Sequence, residues 1–106
     1  MPESWNNRGV TFNGLKRYRE ALADFDRALS LKPKYPAAHC NRGRALAGLR
    51  LYDQALSTYD KALALAPSLV EAWIGRGNTL NELKRHKEAL AAYEKAAGLK
   101  GDLPDA

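Results

Sequence analysis

Residues 41–67 read NRGRALAGLRLYDQALSTYDKALALAP, and this stretch decides the fold. It holds two apolar-periodic segments with the three-and-four spacing of amphipathic helices and none of the strict alternation of strands. Moving outward by 34 residues in either direction finds the same pattern twice more, as NRGVTFNGLKRYREALADFDRALSLKP at 7–33 and GRGNTLNELKRHKEALAAYEKAAGLKG at 75–101. Seven places are identical in all three copies: Arg8, Gly9, Leu15, Ala21, Leu22, Ala28 and Leu31, with their equivalents at 34-residue steps. Phe25, Tyr59 and Tyr93 keep an aromatic at one place, and Asp26, Asp60 and Glu94 keep an acid at the next. The units therefore run 2–35, 36–69 and 70–103, each a helix pair, and 104–106 read as the start of a truncated further unit or a frayed tail. Pro33 and Pro67 close second helices, Pro36 suits a first helical turn, Ser68 with Glu71 suits a capping box and Asp102 suits a helix cap. Helix pairs at this period predict an all-α solenoid, in which each unit buries its apolar face only by stacking on its neighbours.

Composition narrows the function. The chain has 106 residues, 45% of them apolar and 27% charged, as expected of one folded domain or a short repeat array. Its longest apolar run, Ala62 to Ala66, is far short of the roughly 20 residues that cross a bilayer, so the expectation is a cytoplasmic protein without a membrane partner. One cysteine and two histidines supply neither a disulfide framework nor a metal-ligand set, and no glycine-rich phosphate loop or nucleophile–base pair is present. No cofactor, no metal and no enzymatic activity are expected.

Trp5, Gly9, Phe12, Ala21, Phe25, Ala28 and Pro33 resemble the signature of the tetratricopeptide repeat family, over residues 2–103. Gly9, Ala21 and Ala28 stand where two helices would approach too closely for larger side chains, with Trp5 and Phe25 filling the adjoining space. The resemblance implies a right-handed superhelical solenoid of antiparallel helix pairs, and a protein-interaction scaffold whose first helices line a concave groove. Three departures stand out: Arg8, Arg42 and Arg76 replace leucine, His39 replaces a tryptophan, and Gly101 replaces the closing proline. Each arginine is expected to lay its stem on apolar neighbours and reach a carboxylate, possible partners being the acids of the 26, 60 and 94 series.

Eighteen first-helix positions share the groove face, and all six asparagines of the chain fall on them. The candidate peptide-binding residues are Asn6, Asn7, Val10, Asn13, Cys40, Asn41, Arg44, Ile74, Asn78 and Asn81. A row of amides, each with two donors and two acceptor lone pairs, can bracket an extended peptide backbone without requiring one sequence. The same asparagines could instead cap or bridge helices. The groove face carries Glu3, Glu71 and Glu82 against Arg44, a net of −2, so the rest of the chain holds +7 of the total +5. Lys16, Arg17, Arg19, Arg50, Lys84, Arg85 and Lys87 cluster at the turns within units and predict a positive edge, read as solvated rather than nucleic-acid binding because the aromatics sit at core places.

Three readings follow. The first is a module that binds a peptide or partner helix in the groove. Relatives that clamp the carboxylate of chaperone tails would need basic residues at Asn6, Glu71 and Gly75 and asparagines at Val10 and Asn41; only Asn41 matches, so no such clamp is expected. The second is a substrate-recruiting segment of a larger enzyme similar to O-GlcNAc transferase, whose asparagine ladder Asn7 and Asn41 match and Gly75 breaks. The third is a self-assembling repeat that stacks head to tail through apolar surface around Leu90, Tyr93 and Ala97.

Overall fold

A computed structural model describes residues 1–101; the expected cap at Asp102 and the segment 104–106 lie outside the described residues. Six helices follow in order: α1 (Pro2–Gly14), α2 (Tyr18–Leu31), α3 (Pro36–Gly48), α4 (Tyr52–Leu65), α5 (Val70–Glu82) and α6 (His86–Lys100). They pair as α1/α2, α3/α4 and α5/α6, and each pair packs only on the next through α2 against α3 and α4 against α5. The first helices α1, α3 and α5 also touch in sequence along one side of the stack, which is 45 Å long and 25 by 21 Å across. No strand is present among the described residues.

Small residues set the helix spacing. Ala21, Ala28, Ala55, Ala62, Ala89 and Ala96 are all buried, and the rings of Phe25 and Tyr59 fill the space beside them. A Cβ placed on Gly9 would lie 2.5 Å from Phe25 Cε1, one on Gly43 2.8 Å from Tyr59 Cε1, and one on Gly77 2.8 Å from Tyr93 Cε1. One contact thus repeats three times, with the absent side chain of the first helix admitting the aromatic of the second. Trp73 donates its indole N–H to the Pro67 carbonyl at 2.8 Å, and His39 Nε2 donates to the Pro33 carbonyl at 2.9 Å. The histidine therefore supplies the same fastening as the tryptophan it replaces.

The turns within units are closed by backbone geometry. Arg17 N–H reaches the Phe12 carbonyl at 2.8 Å and Lys16 N–H the Asn13 carbonyl at 3.0 Å, the bond pair of a Schellman motif; Leu51 with Arg50, and Arg85 with Lys84, repeat it. The residue that must turn left-handed is Lys16 at φ 62°, Arg50 at φ 64° and Lys84 at φ 63°, three long side chains where glycine is favoured. Lys16→Gly, Arg50→Gly and Lys84→Gly are each expected to raise stability by about 0.5–1 kcal/mol, read as a higher midpoint in urea. An unchanged or lower midpoint in all three would show that the side chains offset their backbone cost.

One expectation at the helix ends is corrected, and one departure from the repeat is explained. Helix α5 begins at Val70 with Leu69 as its N-cap and no side-chain cap, so Ser68 stands one residue too early and its capping box with Glu71 does not form. Without a closing proline, α6 runs to Lys100 and ends on Gly101, whose φ of 74° is left-handed.

The repeated arginines fasten unit to unit. Arg42 Nε lies 2.7 Å from Asp26 of the preceding unit while its Nη1 donates to Thr58 Oγ1 at 3.2 Å, and Arg76 Nε lies 2.9 Å from Asp60. Arg8 instead grips Asp24 of its own unit through two bonds of 2.8 and 3.0 Å. The acid expected from the 26 and 60 places therefore holds for the second and third arginines, and the first takes a carboxylate that Thr58 and Ala92 replace in the other units. Arg8 also lies over Trp5 and Phe12, with Arg27 over Trp5 and Arg17 over Phe12, so guanidinium groups coat the outer aromatics of the first unit.

Candidate functional site

The side of the stack formed by α1, α3 and α5 carries two adjoining hollows. The larger, about 560 Å³, lies between α3 and α5 and is bounded by Arg44, Arg50, Tyr52, Ile74, Asn78 and Glu82, with Tyr59 and Gly75 beneath. The smaller, about 380 Å³, lies between α1 and α3 and is bounded by Val10, Asn13, Gly14, Tyr18, Asn41 and Arg44. Arg44 belongs to both. It is exposed and makes no ion pair among the described residues, while the other charged groups at the larger hollow are Arg50 and Glu82.

Of the ten candidate residues, Val10, Asn13, Asn41, Arg44, Ile74 and Asn78 border the hollows. Asn6 and Cys40 do not; both are buried, and with Ile74 they occupy one repeated place. The first helix of the following unit covers that place, so α3 closes over Asn6 and α5 over Cys40, leaving Ile74 half-buried. Burial pushes the Cys40 thiol up to about 11 despite the nearby Arg44 charge, so at neutral pH it is a protonated core filler and not a nucleophile. Asn7 and Asn81 are exposed and outside both hollows.

The asparagines bond chiefly to one another and to tyrosine. Asn41 Nδ2 donates to Asn6 Oδ1 at 3.2 Å and Asn13 Nδ2 to the Asn41 carbonyl at 3.1 Å, joining α1 to α3. Asn13 Oδ1 is buried without a partner. In the third unit His86 Nδ1 donates to Asn81 Oδ1 at 2.9 Å, Asn81 Nδ2 donates to the Tyr93 hydroxyl at 3.3 Å, and that hydroxyl donates to Asn78 Oδ1. The Asn7 side chain alone among the six makes no hydrogen bond.

Sequence reasoning missed the tyrosine walls. Tyr18 leans across to Gly48 of the next unit, where a Cβ would meet its ring at 2.5 Å, and the Tyr52 hydroxyl reaches Glu82 of the next unit at 3.5 Å. The signal was present as an aromatic at the start of two second helices, but its direction depends on the neighbouring unit. Gly75 is explained in the same way: a Cβ there would lie 2.6 Å from the Tyr59 hydroxyl, so this ring holds the space that a side chain at Gly75 would need.

The positive edge at the turns is partly neutralised. Arg17 and Arg85 form two-bond pairs with Glu20 and Glu88 at 2.6 to 2.8 Å, and these hydrogen bonds hold both carboxyls below the usual range. No helix of the described residues is long and apolar enough to cross a membrane. No group of three or more histidine, cysteine or acidic side chains that could hold a metal occurs among the described residues.

Comparison with known proteins places the chain. Models of the tetratricopeptide repeat match residues 2–35 and residues 40–104. Among curated protein sequences none matches significantly. The Arabidopsis OM64 TPR domain is similar at 27% identity and a TM-score of 0.89, over 96% of this chain and 84% of that one. The first TPR domain of human RPAP3, solved by NMR, is similar at 25% identity and a TM-score of 0.92, over 97% and 81%. The first TPR of Spaghetti (RPAP3), bound to the HSP90 peptide SRMEEVD, shares the fold at 24% identity and a TM-score of 0.90, over 96% and 81%. Six helices in three stacked pairs, the glycine–aromatic contact repeated in each, and matching models over both parts of the sequence lead to one assignment: the chain belongs to the tetratricopeptide repeat family.

Proposed function

We propose that this chain is a non-catalytic interaction module that binds an extended segment of a partner protein along α1, α3 and α5. The observation that carries the reading is Arg44, an exposed cation shared by two adjoining hollows whose remaining walls are tyrosine, amide and small apolar groups, with Arg50 and Glu82 at the larger one. Two hollows on one line suit successive side chains of an extended peptide, with Val10 and Ile74 as apolar contacts and Asn78 as a polar one. Arg44 supplies the charge-assisted hydrogen bonds that fix register. The peptide held by the similar RPAP3 structure supports the capacity of the fold, and at that identity it says nothing of the residues used here.

The reading does not extend to the chaperone-tail clamp. Asn6 is buried under α3, Tyr59 occupies the space above Gly75, and an exposed glutamate stands at position 71, so three of the five required places are closed or carry the wrong charge. The test is a peptide array probed with wild type and with Arg44→Ala, a change at an exposed side chain outside every ion pair, with circular dichroism as the control for folding. Peptides bound by wild type should lose about tenfold or more in affinity in the variant, as for other charged anchors at interface centres. Equal binding by both proteins would remove the groove as the site.

A further inference from the structure

We propose that the chain associates with copies of itself head to tail, the outer face of α6 and α5 in one copy receiving α1 of the next. This goes beyond peptide binding and does not depend on it. The argument starts from the interface that the chain already builds twice. At each junction an acid of the second helix takes the arginine of the following first helix: Asp26 takes Arg42, and Asp60 takes Arg76. The third acid of this series, Glu94, is exposed and pairs with no cation among the described residues, while the first arginine, Arg8, presents a side chain that is 61% exposed at the opposite end.

The apolar parts of the two ends match as well. Leu56 is 8% exposed because α5 covers it, whereas Leu90, the same place in the third unit, is 59% exposed. On the receiving side Leu83 packs against that junction, whereas Leu15, its equivalent in the first unit, is 59% exposed. Gly48 lies against the Tyr18 ring, whereas nothing stands within 4 Å of a Cβ on Gly14, so the place that the second-helix ring would fill is open. Ile74 is likewise left half-buried at the place where α5 closes over Cys40. A second copy placed by the same step brings Glu94 to Arg8, Leu90 to Leu15 and His86 over Gly14. Arg8 can serve two acids, because Arg42 already uses one guanidinium for Asp26 and Thr58 together, and Arg8 engages Asp24 through only Nε and Nη2. The contact is heterologous, so it lengthens instead of closing.

Sedimentation velocity on the whole chain between about 10 µM and 1 mM tests this, a range suited to a weak interface of small area. Wild type should show an average mass that climbs with concentration past the dimer. Glu94→Arg, a change at an exposed side chain, should weaken the association by roughly tenfold or more through like-charge contact with Arg8. Arg8→Glu should do the same, and mixing the two variants should restore assembly, because each then offers the end that the other needs. A wild-type mass that stays monomeric across the range overturns the proposal and leaves this face to another partner. So does assembly of Glu94→Arg at wild-type strength. If Arg8→Glu does not fold beside Asp24, the comparison of wild type with Glu94→Arg decides alone.

Discussion

Tyr59→Ala is expected to cost about 3–5 kcal/mol, the range for emptying a buried aromatic site, and so to remove a large share of the 5–15 kcal/mol typical of a folded domain. The ring is 1% exposed and spans two units, with Gly43 of its own first helix on one side and Gly75 of the next on the other. Its loss opens a cavity at the centre of the stack and loosens α3 from α5 together. Tyr59→Phe, which keeps the ring, should cost much less. Gly75→Ala should cost about 1–3 kcal/mol by overpacking, since the new methyl meets Tyr59 Cζ and lies 2.6 Å from both Cε1 and the hydroxyl oxygen. Tyr59→Phe should return part of that loss by withdrawing the hydroxyl. Urea unfolding of the single and double variants measures the coupling. Additive losses would mean that the hydroxyl is not what keeps Gly75 small, and that the ring carbons it shares with phenylalanine set the limit.

The second large effect is an asymmetry at the first unit. Asp24 has a side chain that is only 2% exposed, and Arg8 gives it both of its hydrogen bonds. Arg8→Ala therefore strands a buried carboxylate and is expected to cost about 2–3 kcal/mol, somewhat under the full figure for a buried pair because the guanidinium side is open to water. Asp24→Ala should cost less than about 1 kcal/mol, since it leaves an exposed cation still lying over Trp5 and Phe12, and since alanine already fills this place at Ala92. The double variant should resemble Asp24→Ala. Thermal melts decide between these outcomes, a loss of 1 kcal/mol amounting to roughly 4–8 °C in a chain of this size. Equal losses from the two single changes would show that the carboxylate is solvated.

What the sequence made legible was whatever repeats within one unit. The glycine–aromatic contact, the buried alanines and the helix pairing all recur at a fixed spacing, so three copies report the same physics. Less legible were features set by a neighbouring unit. Asn6 and Cys40 share a helical face with Arg44, but a single helix gives no sign that the next one will close over that edge of the face. The directions of Tyr18 and Tyr52, and the space taken from Gly75 by Tyr59, are likewise properties of a junction. The left-handed turns were hidden for another reason: Lys16, Arg50 and Lys84 carry no conformational signal in their type, and the backbone bonds of the turn override the side chain. At Asp24 the chain departs from its own repeat, and only the burial of that carboxylate shows why Arg8 breaks the pattern.

Units one and three share no helix contact among the described residues, since α1 and α2 meet nothing beyond α3. Every tertiary interaction therefore closes a short length of chain, and contact order is low for the whole molecule. Folding can nucleate in any helix pair and spread outward by one junction at a time, so its kinetics are those of a row of coupled switches and not of one closed core. The middle pair, with a junction on both sides, is the natural seed of that row.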